Sequence, residues 1–506
     1  MKQKQFFVLF GLIVIIAMVV RSIFLSTVPA GFYWDEVAIL LDSKIVAETG
    51  SDMHQGAWFQ VLYPSYGDYK LPVYIWLTSL GVKFISAADW IVRLPNVLAG
   101  LGTIVVAGLL ARDLLVLKDQ SKKRLIQLIS MTVVAFLPWS IQFSRSGFEG
   151  HLGQFLFGLS IWFGLKTKQA WWWSLVSAVV GGLAVYSYFS VRFVWPIVFV
   201  AVQLLLINWG KESRWLKQAT LNIVLPLAIF TSLLWPMFNS PLYQPSNQLR
   251  LSTDSVLNQH DYPLQANIYR QQAGNTLIDR ALFHRHWLMG RELVINASDF
   301  LDIRFLFLTG DPNLRHGTNQ FGLFLVTMSP FFVGGVIWLW KKHRSLLGFL
   351  MLWWFVSIIP AAVPEETPHA LRSLNALLPL SLLVSFGLFS GWEWYQNWRP
   401  HKIIKQTAVV VVLSLMILNF SAFLADYFIV YPQQSSEFWQ ADYRQQAEQI
   451  WQDALDNPDQ EIYPENKDDR FYLWLLLYGP LSSEQIQALE KPNYRPKRIK
   501  NIVLEL

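Results

Sequence analysis

Two adjacent acidic residues, Asp35 and Glu36, follow three aromatic residues just beyond the first hydrophobic segment of the chain. Carboxylates placed at a membrane surface can transfer protons, so this stretch predicts a reaction centre that Asp35 faces. The alternative role for Asp35 is the N-cap of a helix predicted over 36–49, where Asp is a favoured residue. The two roles are compatible. Glu36 is expected in the first turn of that helix, where it supports the helix dipole or orients Asp35.

A second charged pair, Asp68 and Lys70, lies further along the same polar region. The ammonium group of Lys70 is a compact point charge that suits a phosphate, although a lysine at an interface can also extend toward lipid headgroups. Asp68 is a partner for Lys70 or an oxygen ligand for a divalent cation, together with Asp35 and Glu149. Nothing in the sequence requires such an ion, and no metal is assigned.

A third acidic residue, Glu149, lies in a short loop between two apolar stretches. A carboxylate at the end of a membrane span needs a specific partner or a function. The sequence leaves two interpretations open for Glu149: a site residue, or an ion pair with Arg145 four residues earlier.

Composition places these residues in a membrane protein. Of the 506 residues, 53% are hydrophobic and 15% are charged, whereas a soluble protein is about one-quarter charged. The absence of cysteine excludes disulfides, thiol catalysis and cysteine-ligated metals. The net charge of +6 does not indicate nucleic-acid binding, because the basic residues cluster between hydrophobic segments, where they set topology.

Hydrophobic stretches and basic clusters together predict about eleven spans. They lie near 6–26, 91–111, 125–142, 150–166, 171–188, 190–208, 218–237, 321–340, 346–362, 372–391 and 405–424. A further stretch at 71–87 is too short and too charged for a span and is predicted to be an interfacial helix on the outer face. The positive-inside rule then puts the N-terminus in the cytoplasm and the C-terminus outside, in a multi-pass protein of the plasma (inner) membrane.

The predicted fold is therefore an all-α polytopic membrane domain over 1–424, followed by a small extracytoplasmic α/β domain over 425–506. The outer loop 27–90 carries an amphipathic helix ending at Gly50, and the long outer loop 238–320 is predicted to be functional or a small folded lid. In the tail we expect a helix near 442–455, a strand over Phe471–Tyr478 and a helix that begins at Ser482 or Ser483.

Three motifs resemble the start of the GT-C membrane glycosyltransferases. They are Phe-Tyr-Trp-Asp-Glu at 32–36, Tyr-Lys-Leu-Pro at 69–72 and Arg-Leu-Pro-Asn at 93–96. Similar enzymes are the family 39 protein O-mannosyltransferase-like proteins and the family 83 lipid A aminoarabinose transferases. The resemblance covers about the first third of the chain well. The family pattern often has Lys-Pro-Pro where this chain has Lys70-Leu71-Pro72, which leaves the geometry of that turn open.

The resemblance implies an inverting transfer of a sugar from a polyprenyl-phosphate donor to a hydroxyl group at the outer membrane face. The acceptor could be a protein, a glycolipid or a cell-envelope glycan, and membrane lipids are the other expected partners. Asp35 is then the general base, with Glu36 and Glu149 as further catalytic candidates. Lys70 is expected to bind the lipid phosphate.

The resemblance also implies an arginine near the phosphate at the start of a late span, and Arg372 matches that position. A guanidinium there would stabilise the charge that develops on the leaving phosphate. Arg93 is a weaker candidate for donor binding, because it also suits an anchor at the start of a helix. His369 is a structural residue or a metal or substrate contact. The polar segments at 284–286 and 310–316 are expected to form a rim that covers the donor or guides the acceptor.

Two other functions remain open from the sequence. A transporter or a flippase for lipid-linked sugars would carry ionisable residues at mid-membrane and often inverted repeats, whereas here the charges concentrate in loops on one face. A ligase that moves whole glycans would share the fold and the chemistry, and sequence separates it poorly from a transferase.

Overall fold

The computed structural model describes residues 2–206, 214–253, 255–256 and 262–504. Helices dominate this part of the chain, and its strands are only two or three residues long. Six of the described helices are long and apolar enough to cross a membrane. They are Gln3–Ser22, Asp89–Leu114, Trp215–Phe238, Arg344–Ala362, Leu374–Asn397 and Lys402–Gln434. The chain is a multi-pass membrane protein.

Several other predicted spans are shorter or bent helices. Gln120–Ala135 and Pro138–Ser144 meet at 62°, because Leu137, which precedes a proline, adopts an extended conformation that interrupts the helix. The remaining apolar helices are Glu149–Leu165, Trp173–Val185, Val191–Leu206 and Ser329–Lys342. Length and composition therefore do not fix the number of spans, and eleven stays a prediction. The end of the stretch at 190–208 lies outside the described residues.

The predicted stretch at 321–340 is α-helical only from Ser329 onward, after a 3-10 turn at Val326–Met328. Before that turn, the amides of Leu323 and Phe324 donate to the carbonyls of Phe305 and Leu306 at 3.2 and 2.8 Å. Pro330 then occupies the first turn of the helix, where a missing N–H costs nothing.

Close helix packing in the apolar region depends on two glycines. A Cβ atom added at Gly335 would lie 1.9 Å from the carbonyl oxygen of Leu383, and one at Gly387 would lie 1.7 Å from that of Phe331. The helices Ser329–Lys342 and Leu377–Asn397 therefore touch backbone to backbone, as small residues allow in membrane proteins.

The loop at 27–90 contains the predicted amphipathic helix, which runs over Trp34–Thr49 and ends at Gly50 with a φ of 76°. The same loop contains an antiparallel hairpin of strands Tyr63–Ser65 and Asp68–Lys70. The helix Pro72–Phe84 follows, where an interfacial helix is predicted, and the turn Asp89–Arg93 leads into Leu94–Leu114. Helix and hairpin together bring the charged residues of this loop to one place.

The long loop at 238–320 contains a series of short helices. Their bounds are Tyr243–Thr253, Tyr262–Ala273, Leu277–Leu282 and Arg285–Asp299, followed by a π-helical turn at Arg304–Leu308. A small apolar cluster of Val256, Tyr262, Ala266 and Leu288 lies within it. Residues 254 and 257–261 of this loop lie outside the described residues.

The C-terminal region is mainly helical, and the predicted strand at 471–478 is wrong. Tyr472–Tyr478 is a helix, which packs with the helices Tyr443–Asp456 and Ser483–Ala488. Ser482 caps the last of these by accepting the amide of Gln485 at 3.3 Å, as predicted. The only sheet among the described residues of this region pairs Arg498–Ile499 with Ile502–Val503.

The apolar stripe of the first-loop helix forms part of the C-terminal core. Val37, Ala38, Leu41 and Ile45 are buried in one cluster with Trp451 and Leu473, among others. The helix Lys402–Ala425 also continues through the π-helical turn Asp426–Val430 into Tyr431–Gln434, past the predicted domain boundary at 424. The C-terminal region is thus packed directly on the helix that carries Asp35.

Candidate active site

One cavity of about 530 Å³ collects most of the charged residues that the sequence singles out. Its lining includes six of the predicted site residues: Asp35, Asp68, Lys70, Glu149, His369 and Arg372. They come from four separate parts of the chain, and a volume of this size is typical of a small-molecule site.

Asp35 lies in the first turn of the helix Trp34–Thr49, one residue beyond its start. The N-cap is Tyr33, so the interpretation of Asp35 as the cap is wrong, although the positive end of the helix dipole still favours its charge. The side chain of Asp35 is 21% exposed and accepts hydrogen bonds from the ammonium of Lys70 and the hydroxyl of Tyr66. These donors orient the carboxylate, which lines the cavity.

The hairpin positions Lys70 and Tyr66 through a two-residue turn. Ser65 pairs with Asp68, and Gly67 in the turn has a φ of 81°, a left-handed conformation that glycine adopts readily. Burial and the neighbouring carboxylates of Asp35 and Asp68 raise the pKa of Tyr66 well above its usual value. The phenol therefore keeps its proton and acts as a donor.

Lys70 is almost completely buried but remains a cation. Burial alone lowers the pKa of an ammonium group, but Asp35, Tyr66 and Asp68 together raise the pKa of Lys70 well above its usual value. The ammonium nitrogen of Lys70 lies 3.4 Å from a carboxylate oxygen of Asp68. A positive charge is thus fixed at the cavity wall, where a phosphate could replace one of these carboxylates as its partner.

Glu149 begins the helix Glu149–Leu165, and its carboxylate accepts the backbone amide of Leu71 at 3.0 Å. A proline at position 71 would have no N–H to donate, so the departure from Lys-Pro-Pro supplies the group that holds Glu149. Arg145 does not pair with Glu149. Its guanidinium donates instead to the carbonyls of Val20 and Ile23 at 2.8 and 2.7 Å.

Arg372 and His369 come from the segment that precedes the apolar helix Leu377–Asn397. Burial, together with His316 and Arg372, lowers the pKa of His369 well below its usual value, so its ring is neutral. The guanidinium of Arg372 donates to the carbonyl of Glu366 at 3.4 Å, a long contact that leaves it able to take another acceptor.

Glu36 and Arg93 are not part of the cavity lining, which corrects their assignments as catalytic and donor-binding residues. Both side chains are fully buried and form a two-bond pair, with Arg93 Nε and Nη2 donating to Glu36 at 2.8 and 2.9 Å. The amide of Gly147 donates to the same carboxylate at 2.6 Å. This network joins the first-loop helix to the next span and to the loop before Glu149, and it holds the cavity walls together.

Two arginines that no motif singles out individually, Arg315 and Arg470, also line the cavity. The Arg315 guanidinium lies 4.4 Å from the Tyr33 ring centre and donates to the Tyr33 hydroxyl. Arg470, from the C-terminal region, lies 4.0 Å from the Trp34 ring centre. Arg315 belongs to the polar segment predicted to form a rim, whereas no pattern in the sequence marks Arg470.

The carboxylates of Asp35, Asp68 and Glu149 do not fit a divalent cation in this arrangement. Asp35 and Asp68 are both within reach of the Lys70 ammonium, and Glu149 is bound to the Leu71 amide. The positive charge among these oxygens is the lysine itself, so no ion is assigned there and no chemical step depends on one.

The chain is similar in structure to several proteins whose structures have been solved. No protein-family model matches the chain, and no curated protein matches it in sequence. ArnT from Cupriavidus metallidurans bound to undecaprenyl phosphate matches with a TM-score of 0.57 at 12% identity, over 98% of this chain and 90% of that one. Its apo state matches with a TM-score of 0.54 at 14% identity, over 94% and 85% of the two chains.

An oligosaccharyltransferase from Archaeoglobus fulgidus, tethered with an acceptor peptide containing the NVT sequon, is also similar. It matches with a TM-score of 0.55 at 14% identity over 98% of this chain. The match covers 61% of the archaeal chain, so this chain spans less than two thirds of its length. At these identities the shared property is the fold.

Proposed function

The chain has the fold of the GT-C membrane glycosyltransferases, and from that premise we propose that it moves a sugar from a polyprenyl-phosphate donor to a hydroxyl group. The observation that carries the proposal is the set of opposed charges at one cavity, with the Asp35 carboxylate, the Lys70 ammonium and the Arg372 guanidinium in its lining. A base and phosphate-binding cations within one cavity are the groups that this reaction needs.

In the proposed reaction, the acceptor hydroxyl oxygen attacks the anomeric carbon of the donor, and the bond from that carbon to the phosphate oxygen breaks. Asp35 takes the proton of the hydroxyl, and the lipid phosphate leaves with the bonding electrons. Attack on the face opposite the leaving group inverts the anomeric configuration.

Lys70 has a double role in this proposal. Before the donor binds, its ammonium pairs with Asp35 and Asp68. A donor phosphate that takes over the Lys70 contact releases Asp35 to accept a proton. Arg372, whose contact to Glu366 is long, supplies a second positive charge that stabilises the leaving phosphate. The carboxyl groups of Glu149 and Asp68 contribute to the electrostatic potential around the phosphate.

The proposed setting is the outer face of the plasma membrane, with the N-terminus in the cytoplasm and the C-terminal region outside. ArnT was captured with undecaprenyl phosphate, which supports a polyprenyl-phosphate donor for this chain. The acceptor is proposed only as a hydroxyl of a protein, a glycolipid or a cell-envelope glycan, because the oligosaccharyltransferase with its peptide shares no more than the fold.

The test is donor turnover by the purified full chain in lipid nanodiscs. A panel of polyprenyl-phosphate sugars is supplied with membrane extract as acceptor, for the wild type, Asp35→Asn and Lys70→Ala. Asp459→Asn and Lys83→Ala, at exposed positions away from the cavity, are the matched controls.

We expect release of polyprenyl phosphate by the wild type and both controls, and its loss in both cavity variants. Turnover that survives Asp35→Asn would move the base elsewhere, with Glu149 as the next candidate. Movement of a labelled lipid between leaflets without turnover of any donor would replace the transferase by a flippase.

A further inference from the structure

Three potential metal ligands meet at the edge of the cavity, on the side formed by the long loop. Asp311, His316 and His369 are all buried, and one ligand atom from each lies within 4.8 Å of the others. His316 and His369 line the cavity itself, whereas Asp311 lies behind them. The proposed sugar transfer assigns no step to this group.

The carboxylate of Asp311 is held in place by backbone donors. One oxygen accepts the amide of Asn313 at 2.8 Å, and the other accepts the amide of Ala370 at 2.7 Å. The second oxygen also lies 3.1 Å from Nδ1 of His316. Ligands at metal sites are commonly fixed by such outer contacts, which set their direction before the ion binds.

The two imidazoles are close, and one of them is loosely held. The ring centres of His316 and His369 are 4.2 Å apart, with the planes inclined at 37°. The amide of Arg372 lies 3.4 Å from Nδ1 of His369, a long contact that the ring can exchange for a stronger one. Two imidazoles beside one carboxylate match the ligand set of three-ligand zinc sites.

The spacing is also that of ligands around a single ion. Ligand atoms about 2.0–2.2 Å from a tetrahedral zinc lie about 3.3 Å from each other, and the Asp311–His316 contact of 3.1 Å already has this separation. The ligand atom of His369 lies within 4.8 Å of the other two. To reach a spacing of about 3.3 Å it has to move closer by no more than about 1.5 Å.

We propose that Asp311, His316 and His369 bind one divalent transition-metal ion of the zinc type, with its fourth position open to the cavity. Imidazole with carboxylate suits such ions better than magnesium or calcium, which prefer ligand sets made of oxygen. The site is distinct from the Asp35, Asp68 and Glu149 carboxylates, where Lys70 supplies the positive charge.

The charges around the site define what the open position binds. One carboxylate leaves a zinc-type ion with a net positive charge, and Arg315 and Arg372 also lie at this cavity. The open position therefore takes an anionic oxygen such as that of a phosphate. The ion also links two segments that are distant in sequence, the long loop and the segment before Leu377–Asn397.

The test measures zinc binding by the full chain in nanodiscs without any sugar donor, so its outcome does not depend on the proposed transfer. The protein is stripped with a chelator, and Zn²⁺ is titrated in competition with a chromophoric chelator. Co²⁺ is then used as a spectroscopic probe of imidazole ligation. The variants are Asp311→Asn, His316→Gln and His369→Gln, with His284→Gln and Asp302→Asn, at exposed positions, as matched controls.

We expect one tight Zn²⁺ per chain in the wild type and both controls, and binding weakened more than about tenfold in each of the three variants. No tight zinc in the wild type, or zinc that survives all three substitutions, would overturn the proposal. So would zinc that is lost in Asp35→Asn but retained in His316→Gln. Because the ligands come from two segments, His369→Gln tests the site even if a long-loop variant does not fold.

Discussion

Asp35 and Glu36 are neighbours in sequence, yet the structure puts them in opposite environments. Asp35 faces the cavity with a partly exposed carboxylate and pairs with Lys70, whereas Glu36 is fully buried and pairs with Arg93. Adjacent positions on a helix point about 100° apart, so one turn can serve a site and a scaffold together. The comparison teaches that the acidic pair after the first predicted span places one carboxylate at the cavity and the other in the buried scaffold.

The largest expected effect is on transfer by Asp35→Asn. The amide cannot accept a proton as the carboxylate does, so we expect the transfer rate to fall by about 10²–10⁴-fold. The donor KM should change little, because the proposed reaction assigns the phosphate to Lys70 and Arg372. Steady-state transfer measured over a range of donor concentrations checks this, and a rise in KM at unchanged rate would assign Asp35 to binding instead.

Glu36→Ala should act on stability instead of chemistry. It leaves the Arg93 guanidinium buried without its carboxylate, and breaking a buried pair in this way costs about 3–5 kcal/mol of unfolding free energy. Denaturant unfolding in mixed micelles measures the loss. A Glu36→Gln/Arg93→Met double variant should recover part of it, and equal stability of the wild type and Glu36→Ala would contradict the structural role.

Leu71→Pro tests whether the third acidic residue, Glu149, depends on its hydrogen bond to the Leu71 amide. Proline removes the amide that Glu149 accepts at 3.0 Å, and a buried acceptor left without its donor costs about 1–3 kcal/mol. We expect transfer to fall by about tenfold or more relative to Leu71→Ala, which also loses the large side chain but keeps the N–H. Equal rates in the two variants would show that Glu149 does not depend on this bond.

The smallest expected effect is that of Arg470→Gln. Arg470 is partly exposed and stacks on Trp34, and such contacts contribute about 0.5–1 kcal/mol. We expect the donor KM to rise by about two- to fivefold at low salt, with less change at high salt because screening weakens the charge. A KM that does not respond would exclude Arg470 from donor binding.

The sequence predicts the helix that carries Asp35 because its signals, the apolar stripe and Gly50, are local. The hairpin whose Tyr66–Gly67 turn brings Lys70 back toward that helix is not predicted from the sequence. The resemblance to the GT-C enzymes, which began from these motifs, is confirmed at the level of the fold.

Other features depend on tertiary contacts between residues that are far apart in the sequence. The stretch 471–478 is apolar on every side, so its periodicity fits a strand and a buried helix equally well, and tertiary packing decides for the helix. Arg315 reaches Tyr33 across 282 positions of sequence, and Arg93 finds Glu36 across 57. The sequence around Arg315 and Arg93 does not show that the first lines the cavity and that the second is buried against Glu36.

The most direct test of the central claim compares Asp35→Asn with Glu36→Gln in the same nanodisc preparation. Transfer per folded molecule and the unfolding temperature are measured for both. We expect Asp35→Asn to lose transfer while its unfolding temperature falls less than that of Glu36→Gln, because Asp35 is partly exposed and Lys70 keeps Asp68 as a partner. We expect Glu36→Gln to keep transfer per folded molecule. Transfer that persists in folded Asp35→Asn, or that disappears only in folded Glu36→Gln, would contradict the assignment of Asp35 as the base.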